Sequence, residues 1–137
     1  MSVVFTKPGT PDVVVTINKN PSYDSKYYTV RKNQYSQETV DGVLKVYDGG
    51  PSVVYGTVVL KNVAKAEGDA LMSFIKSNLV FQLNTFTIAP PANTDLGNGV
   101  GTSLTSCNFD GGQSLDGVFE FIPPGKYNIN FPYRKVL

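Results

Sequence analysis

Short runs of β-branched and aromatic residues, separated by glycine and proline, set the strongest limit on how this chain can fold. The clearest run is Val13–Ile17, which lies between Pro11-Asp12 and the turn-forming segment at 18–21. Such side chains suit a pleated, half-buried surface, and the flanking residues are typical turn formers. Thirteen glycines and nine prolines continue this punctuation over 137 residues. The pattern predicts a turn-rich, mainly β fold in a single domain, residues 1–137.

Further strands are expected wherever the same pattern recurs. A hairpin is predicted between Val43 and Val63, with its turn at Asp48–Ser52, because glycine readily adopts the positive φ angles of tight connections. Residues 31–41 are polar and predict a loop or an exposed arm, whereas 92–103 predict a Gly/Asn-rich loop. The other predicted strands are Tyr27–Val30, Val80–Ile88, Leu104–Phe109, Gly117–Ile122 and Tyr127–Phe131.

One helix is predicted, over residues 64–77, and Asn62 is its expected N-cap. Three apolar side chains in it follow the i, i+3, i+4 spacing of an amphipathic stripe. These side chains are Leu71, Phe74 and Ile75. Gly68 would cost about 1 kcal/mol relative to alanine inside a helix, so it is expected to mark a close contact. The fold class is therefore mainly β (β-rich α+β), with one helix laid on a sheet.

The residue types that most enzymes use for acid–base or nucleophilic chemistry are scarce. The chain has no histidine, which excludes a Ser-His-Asp triad, a Cys-His pair and an imidazole metal site. Asp95, Asp110 and Asp116 lie in glycine-rich turns, where aspartate commonly hydrogen-bonds the local backbone. The lone Cys107 is expected to be a small core residue. We expect no catalysis, no cofactor and no metal.

Charge and hydropathy limit the partners. The 12 basic and 11 acidic residues give a net charge of +1, and neither sign is clustered. A basic stripe that could neutralise several phosphates is missing, so specific nucleic-acid binding is not expected. The longest apolar runs are a few residues, far short of the roughly 20 that a membrane helix needs. Near-zero net charge agrees with a protein that self-associates, and synthesis in the cytoplasm is expected.

The eight tyrosines leave a second function open. Tyrosine is enriched at protein interfaces because it presents a large rigid face with a polar tip. The same side chains could stack on sugars, with Asp and Asn from the glycine-rich loops as hydrogen-bonding partners. A carbohydrate- or host-surface-binding β module is therefore the alternative to an assembly protein.

Four short segments in the middle of the chain occur in a recognisable order. They are Asn33–Gln37 (NQYSQ), Ala66–Ile75 (AEGDALMSFI), Phe86–Pro91 (FTIAPP) and Cys107–Phe109 (CNF). Over roughly residues 33–110 this order resembles the tail-tip proteins of long-tailed bacteriophages: the lambda-type minor tail protein and the N-terminal domain of distal tail proteins. Those proteins carry a YSQ-like segment, an EA-x-x-L-x-x-F helix and an aromatic strand that reaches a Pro-Pro turn. The chain departs from them in having no tryptophan before Pro90-Pro91.

The resemblance implies a split β-barrel or sandwich with one helix packed against it, in a structural virion protein. Copies would form a closed ring, usually a hexamer, which joins the tail tube to the tip complex and through whose lumen DNA could pass. Implied partners are the tail tube and tip proteins, and the implied location is the virion tail, assembled in the bacterial cytoplasm. A tail terminator or head–tail adaptor is the alternative position. The polar segment 31–41 and the loop 92–103 are the hypothesised inter-subunit elements. The hypothesised interface residues are Tyr35, Gln37, Asp95 and Asn98.

Overall fold

The computed structural model describes residues 2–22, 26–96 and 99–136. Over these ranges eight strands form an antiparallel sheet, and one helix packs against it. The strands are β1 (Val3–Lys7), β2 (Val13–Ile17), β3 (Lys26–Glu38), β4 (Leu44–Ala64), β5 (Phe86–Ala89), β6 (Leu104–Phe109), β7 (Phe119–Ile122) and β8 (Lys126–Val136). The helix α1 spans Lys65–Ser73 and continues as a π-helical segment over Phe74–Leu79. The predicted mainly β class with one helix is therefore confirmed.

The strand order across the sheet is β2-β1-β5-β6-β8-β4-β3, and β7 pairs with β8 beside this path. The two strands at the ends of the order are β2 and β3. The strands predicted at Val13–Ile17 and Leu104–Phe109 have the observed limits. Strands β3 and β8 extend well beyond the predicted Tyr27–Val30 and Tyr127–Phe131, whereas β7 begins two residues after Gly117. Sequence patterning thus located these strands better than it located their ends.

The hairpin turn predicted at 48–52 is wrong. Strand β4 continues through this segment without a break. Lys32 of β3 pairs with Ser52 of β4, and the next pair is Gln34 with Asp48. Strand β4 therefore has more residues than β3 between these two pairs, and the extra residues form a bulge. Glycine is favoured in bulges as well as in turns, since both need backbone conformations that other residues avoid. The glycines therefore marked a real irregularity, but not its type.

Four phenylalanines from four different strands form the centre of the core. The ring centroid of Phe131 lies 4.7 Å from that of Phe5, 5.5 Å from that of Phe86 and 5.5 Å from that of Phe109. The rings meet tilted or edge-on, which is the favoured geometry for aromatic pairs. Each of the four side chains is fully buried.

The helix covers the core with the predicted stripe, because Leu71, Phe74 and Ile75 are all buried. The close contact expected at Gly68 is also confirmed, since a Cβ atom there would overlap the ring of Tyr127. The predicted N-cap is wrong: α1 begins after Ala64 and has no side-chain cap. Asn62, the predicted N-cap, still belongs to β4, because β4 keeps pairing with β8 as far as Ala64, the residue before the helix. Among the described residues no helix is long and apolar enough to cross a membrane.

Candidate interaction surface

The hairpin of β3 and β4 extends past the rest of the sheet. Strand β4 pairs with β8 from Ala64 back to Val53, which lies opposite Val136. Beyond that point β4 pairs with β3 alone, as far as the Glu38–Leu44 pair. We call residues 32–52 the arm. Residues 31–41 were predicted to form a loop or an exposed arm. The part up to Glu38 is a strand of the hairpin, so the prediction of an exposed arm fits the structure.

The connection at the tip of the arm is short and hydrogen-bonded. The N–H of Thr39 donates to the carbonyl of Val43 at 2.8 Å, and the N–H of Gly42 donates to the carbonyl of Thr39 at 2.9 Å. Gly42 has a φ of 80°, a conformation that glycine adopts without the penalty other residues incur. The turn that was predicted nine residues later along the chain, at Asp48–Ser52, is therefore formed here.

Apolar side chains are exposed on both faces of the arm. Leu44 is 63% exposed and Val46 is 53% exposed, and they share one face because side chains two apart in a strand point the same way. Tyr47, 54% exposed, points to the opposite face. A two-stranded hairpin is marginally stable in water without further packing. The arm is therefore an exposed ribbon with apolar side chains in contact with solvent.

The bulge near the base of the arm is fixed by polar contacts. The Nζ atom of Lys32 lies 3.2 Å from Oδ2 of Asp48, across the two strands. The N–H of Gly50 donates to Oδ1 of the same carboxylate at 3.2 Å. The Gly50 N–H, and after it the Lys32 ammonium, hold the pKa of Asp48 below its ordinary value. The two strands are therefore tied together where their register changes.

The predicted interface residues fall on two separate elements. Tyr35 and Gln37 lie on β3 within the arm, opposite Tyr47 and Lys45 respectively. Asp95 lies on the connection between β5 and β6, where its Oδ1 accepts the N–H of Gly99 at 3.1 Å. The fourth predicted residue, at position 98, lies outside the described residues.

A second exposed apolar site was missed by the sequence analysis. The strand predicted to begin at Val80 begins only at Phe86, and residues 80–84 form a turn. Val80 and Phe81 have φ angles of 48° and 55°, in the left-handed region that β-branched and bulky residues rarely enter. The side chain of Leu83 is 74% exposed and that of Val80 is 45% exposed. The run of apolar residues suggested a strand, and no residue in it signalled the left-handed bend.

Backbone and amide hydrogen bonds hold this turn in place. The N–H of Phe81 donates to the carbonyl of Ile75 at 3.0 Å, and the N–H of Asn84 to the carbonyl of Leu79 at 2.9 Å. The Nδ2 atom of Asn108, on β6, donates to the carbonyl of Gln82 at 3.1 Å. These bonds connect the turn to the π-helical segment on one side and to the sheet on the other.

A shallow hollow lies beside the turn. It is lined by Gln82, Asn108, Phe109 and Arg134. The guanidinium carbon of Arg134 lies 5.6 Å from the ring centroid of Tyr55, within the range of a cation–π contact. Gln82 also borders the apolar surface formed with Val80, Phe81 and Leu83. The turn and the hollow thus form one continuous surface that is apolar at one end and cationic at the other.

Elsewhere the polar clusters have local structural roles. The Asp69 carboxylate accepts a hydrogen bond from Lys65 at 2.8 Å and one from the Tyr127 hydroxyl at 3.0 Å, which links α1 to β8.

Cys107 is buried as predicted, and burial raises the pKa of its thiol to about 12. Within the described ranges no group of three or more His, Cys, Asp and Glu side chains is placed to bind a metal ion.

Comparisons with known proteins give no further assignment. No protein-family model matches the chain, and a search of curated proteins finds no match. The arm, the turn and the 92–103 loop are therefore the features from which a function has to be inferred.

Proposed function

We propose that this chain is a non-catalytic structural subunit of a bacteriophage tail, which assembles into a closed ring at the tail tip and joins the tail tube to the tip complex. The arm carries the proposal, because Leu44 and Val46 are more than half exposed on a two-stranded ribbon that extends past β8. The segment order from Asn33 to Phe109 that resembles tail-tip proteins supplies the specific setting.

The topology favours contacts between copies that run head to tail. A closed ring needs two different surfaces on each copy, which meet in the same way at every boundary. The sheet ends in two different edge strands, β2 and β3. Exposed edges invite pairing with another chain, and an assembly protein uses this tendency where a monomer must suppress it. The arm extends one of these edges.

We also propose that the sheet curls into a split β-barrel whose open side faces the helix. The helix packs against β2, at one end of the strand order, and against the neighbouring strands β8 and β4, near the other end. The Asn18 amide donates to Oε1 of Glu67 on α1 at 3.0 Å. The N–H of Ser22 donates to the carbonyl of Val59 on β4 at 2.7 Å. The chain that follows β2 thus comes back to β4, near the other end of the sheet.

Excision of the arm tests the proposed function. Lys32 and Ser52 are directly paired, so Asn33–Pro51 can be replaced by Asn-Gly, which favours a two-residue hairpin turn. The unmodified chain should give ring-shaped particles in electron microscopy and a closed oligomer in native mass spectrometry. The excised variant should stay monomeric and unfold at nearly the same denaturant concentration, because the core is unchanged.

Two results would count against the proposal. One is an unmodified chain that stays monomeric at high concentration, with and without tail tube and tip proteins. The other is specific, saturable binding on a glycan array, which would favour the sugar-binding alternative.

A further inference from the structure

We propose that the outer half of the arm of one copy packs onto the turn at 80–84 of the next copy. The inference rests on the proposed function, since it names the two surfaces that meet at each boundary of the ring. It joins the two most exposed apolar sites of the described chain into a single contact.

The turn is built before any partner arrives. A valine in the left-handed region is strained, and such strain persists only where the surrounding structure holds it. Here the hydrogen bonds made by Phe81, Asn84 and Asn108 supply that support. Because the backbone bends in this way, Val80 and Leu83 project into solvent. A surface that is already ordered loses little entropy when a partner binds.

The arm of the same copy cannot cover this turn. Arg134 borders the hollow beside the turn, and it pairs with Tyr55 at the base of the arm. Leu44 lies at the far end of the same strand, eleven residues from Tyr55, which is about 35 Å of extended chain. A paired ribbon cannot fold back on itself over that distance. An arm that covers this turn must therefore belong to a different molecule.

A second copy of the chain fits the turn in chemistry. Leu44 and Val46 present apolar side chains on one face of the arm, beside their cross-strand neighbours Glu38 and Ser36. Val80 and Leu83 present apolar side chains on the turn. The Glu38 carboxylate stands at the end of the arm, and the Arg134 guanidinium stands at the cationic end of the hollow. The two surfaces differ, so the contact is head to tail and can close a ring by rotation.

The arm also offers area for a contact. Nine residues of β4 extend about 30 Å, and two strands are about 10 Å wide, so each face offers roughly 300 Å². The outer half of one face would supply about 150 Å² of the roughly 800 Å² per partner that a stable interface needs, and the other face of the arm can add to it. Edge pairing along β3 can supply the remainder.

Cysteine cross-linking tests the contact directly. Leu44→Cys, Val46→Cys and Leu83→Cys each place a thiol at an exposed position, whereas the native Cys107 is buried and its high pKa keeps it unreactive. An arm variant is mixed with the Leu83→Cys variant under assembly conditions, and a short bis-maleimide is added. We expect a covalent dimer in the mixture, with the arm peptide joined to the turn peptide by mass spectrometry. Ala66→Cys, exposed on α1, is the control that should give no dimer.

The outcomes separate this inference from the proposed function. Rings that form without any link between arm and turn would overturn the inference and leave the ring intact. Links between two arm cysteines would overturn it too, since they indicate a symmetric contact. An unmodified chain that never forms rings would overturn both.

A charge substitution gives a second readout that does not depend on cross-linking. Leu83→Asp and Val100→Asp change residues that are 74% and 66% exposed, so both variants should fold as monomers. We expect Leu83→Asp to raise the concentration for half-assembly about tenfold or more, because a carboxylate would be buried against apolar side chains. Val100→Asp, in the 92–103 loop, should change it far less. The reverse order would place the contact on that loop instead and overturn the inference.

Discussion

The aromatic core and the arm are built from the same kinds of residue but are stabilised in opposite ways. Phe131 belongs to a strand with neighbours on both sides, and its ring touches three other phenylalanines. Tyr47 belongs to the same sheet, yet its strand has lost the neighbour β8 and its ring is half exposed. The difference lies in where the neighbouring strand ends rather than in composition. Apolar strand residues therefore do not by themselves ensure burial within their own chain; the neighbouring strand decides it.

The first prediction compares the two regions by deleting one side chain from each. Phe131→Ala should lower the free energy of unfolding by about 3–5 kcal/mol, because it leaves a cavity among three rings. Leu44→Ala should change it by less than about 0.5 kcal/mol, since the side chain is 63% exposed in the isolated chain. Urea unfolding of the monomers, followed by tyrosine fluorescence, measures both values. Equal losses would mean that the arm belongs to the cooperative core.

The second prediction concerns the contact between the helix and the sheet. Gly68→Ala should lower the free energy of unfolding by about 1–3 kcal/mol, since the added methyl group overlaps the ring of Tyr127 and overpacking costs about that much. The matched control is Gly125→Ala, where an added Cβ meets no atom within 4 Å. If Gly68→Ala stabilised the protein through its better helix propensity, the contact would be looser than the structure indicates.

Several parts of the fold followed directly from the sequence. The strand Val13–Ile17 was predictable because β-branched residues and flanking turn formers agree there. The buried stripe of the helix and the contact at Gly68 followed from spacing and propensity. Ends of elements were harder, because they depend on partners: β4 continues through its glycines since β3 runs alongside it.

The candidate site was less predictable than the fold. Residues 31–41 were predicted to form a loop or an exposed arm, because a polar run between strands indicates a surface segment, and the second alternative fits the position of Gln37 on β3. The apolar run from Val80 to Leu83 suggested a strand, and its exposure could not be foreseen. Tertiary hydrogen bonds from Asn108 and from the end of the helix decide its conformation, and these involve residues distant in sequence. Val80 and Phe81 adopt left-handed backbone conformations that their residue types disfavour, and such a departure at the surface is a reason to suspect a functional role.

The third prediction tests whether the strain at Val80 is real. Val80→Asn should raise the free energy of unfolding of the monomer by about 0.5–1 kcal/mol, because asparagine enters the left-handed region more easily than valine does. Leu83→Asn, at a residue without a positive φ, should change it by less than about 0.5 kcal/mol. Both variants should assemble less well than the unmodified chain. A loss of stability in Val80→Asn would show that the valine is held by packing rather than strained.

The last and smallest effect compares two aspartates that both have a lowered pKa, one in the body of the protein and one in the arm. The pKa of Asp69 is held down first by the hydrogen bond from Lys65 and then by that from Tyr127. The ionised Asp69 carboxylate therefore stabilises the fold at pH values above its ordinary pKa of 3.8. This stabilisation is lost as the pH falls through the lower pKa of the folded state. Asp69→Asn should unfold slightly more easily than the unmodified chain at neutral pH, and this difference should shrink as the pH falls below 3.8 and vanish below the pKa of the folded state.

Asp48→Asn should behave differently, although the pKa of Asp48 is lowered as well. Its carboxylate ties together two strands that have no core beneath them, so its loss should leave global unfolding unchanged at every pH. Hydrogen exchange should instead become faster at the amide of Gly50, which donates to that carboxylate. If Asp48→Asn lowered global stability as much as Asp69→Asn did, the arm would unfold together with the core, and the exposed ribbon would be part of the folding unit rather than a surface that a partner must complete.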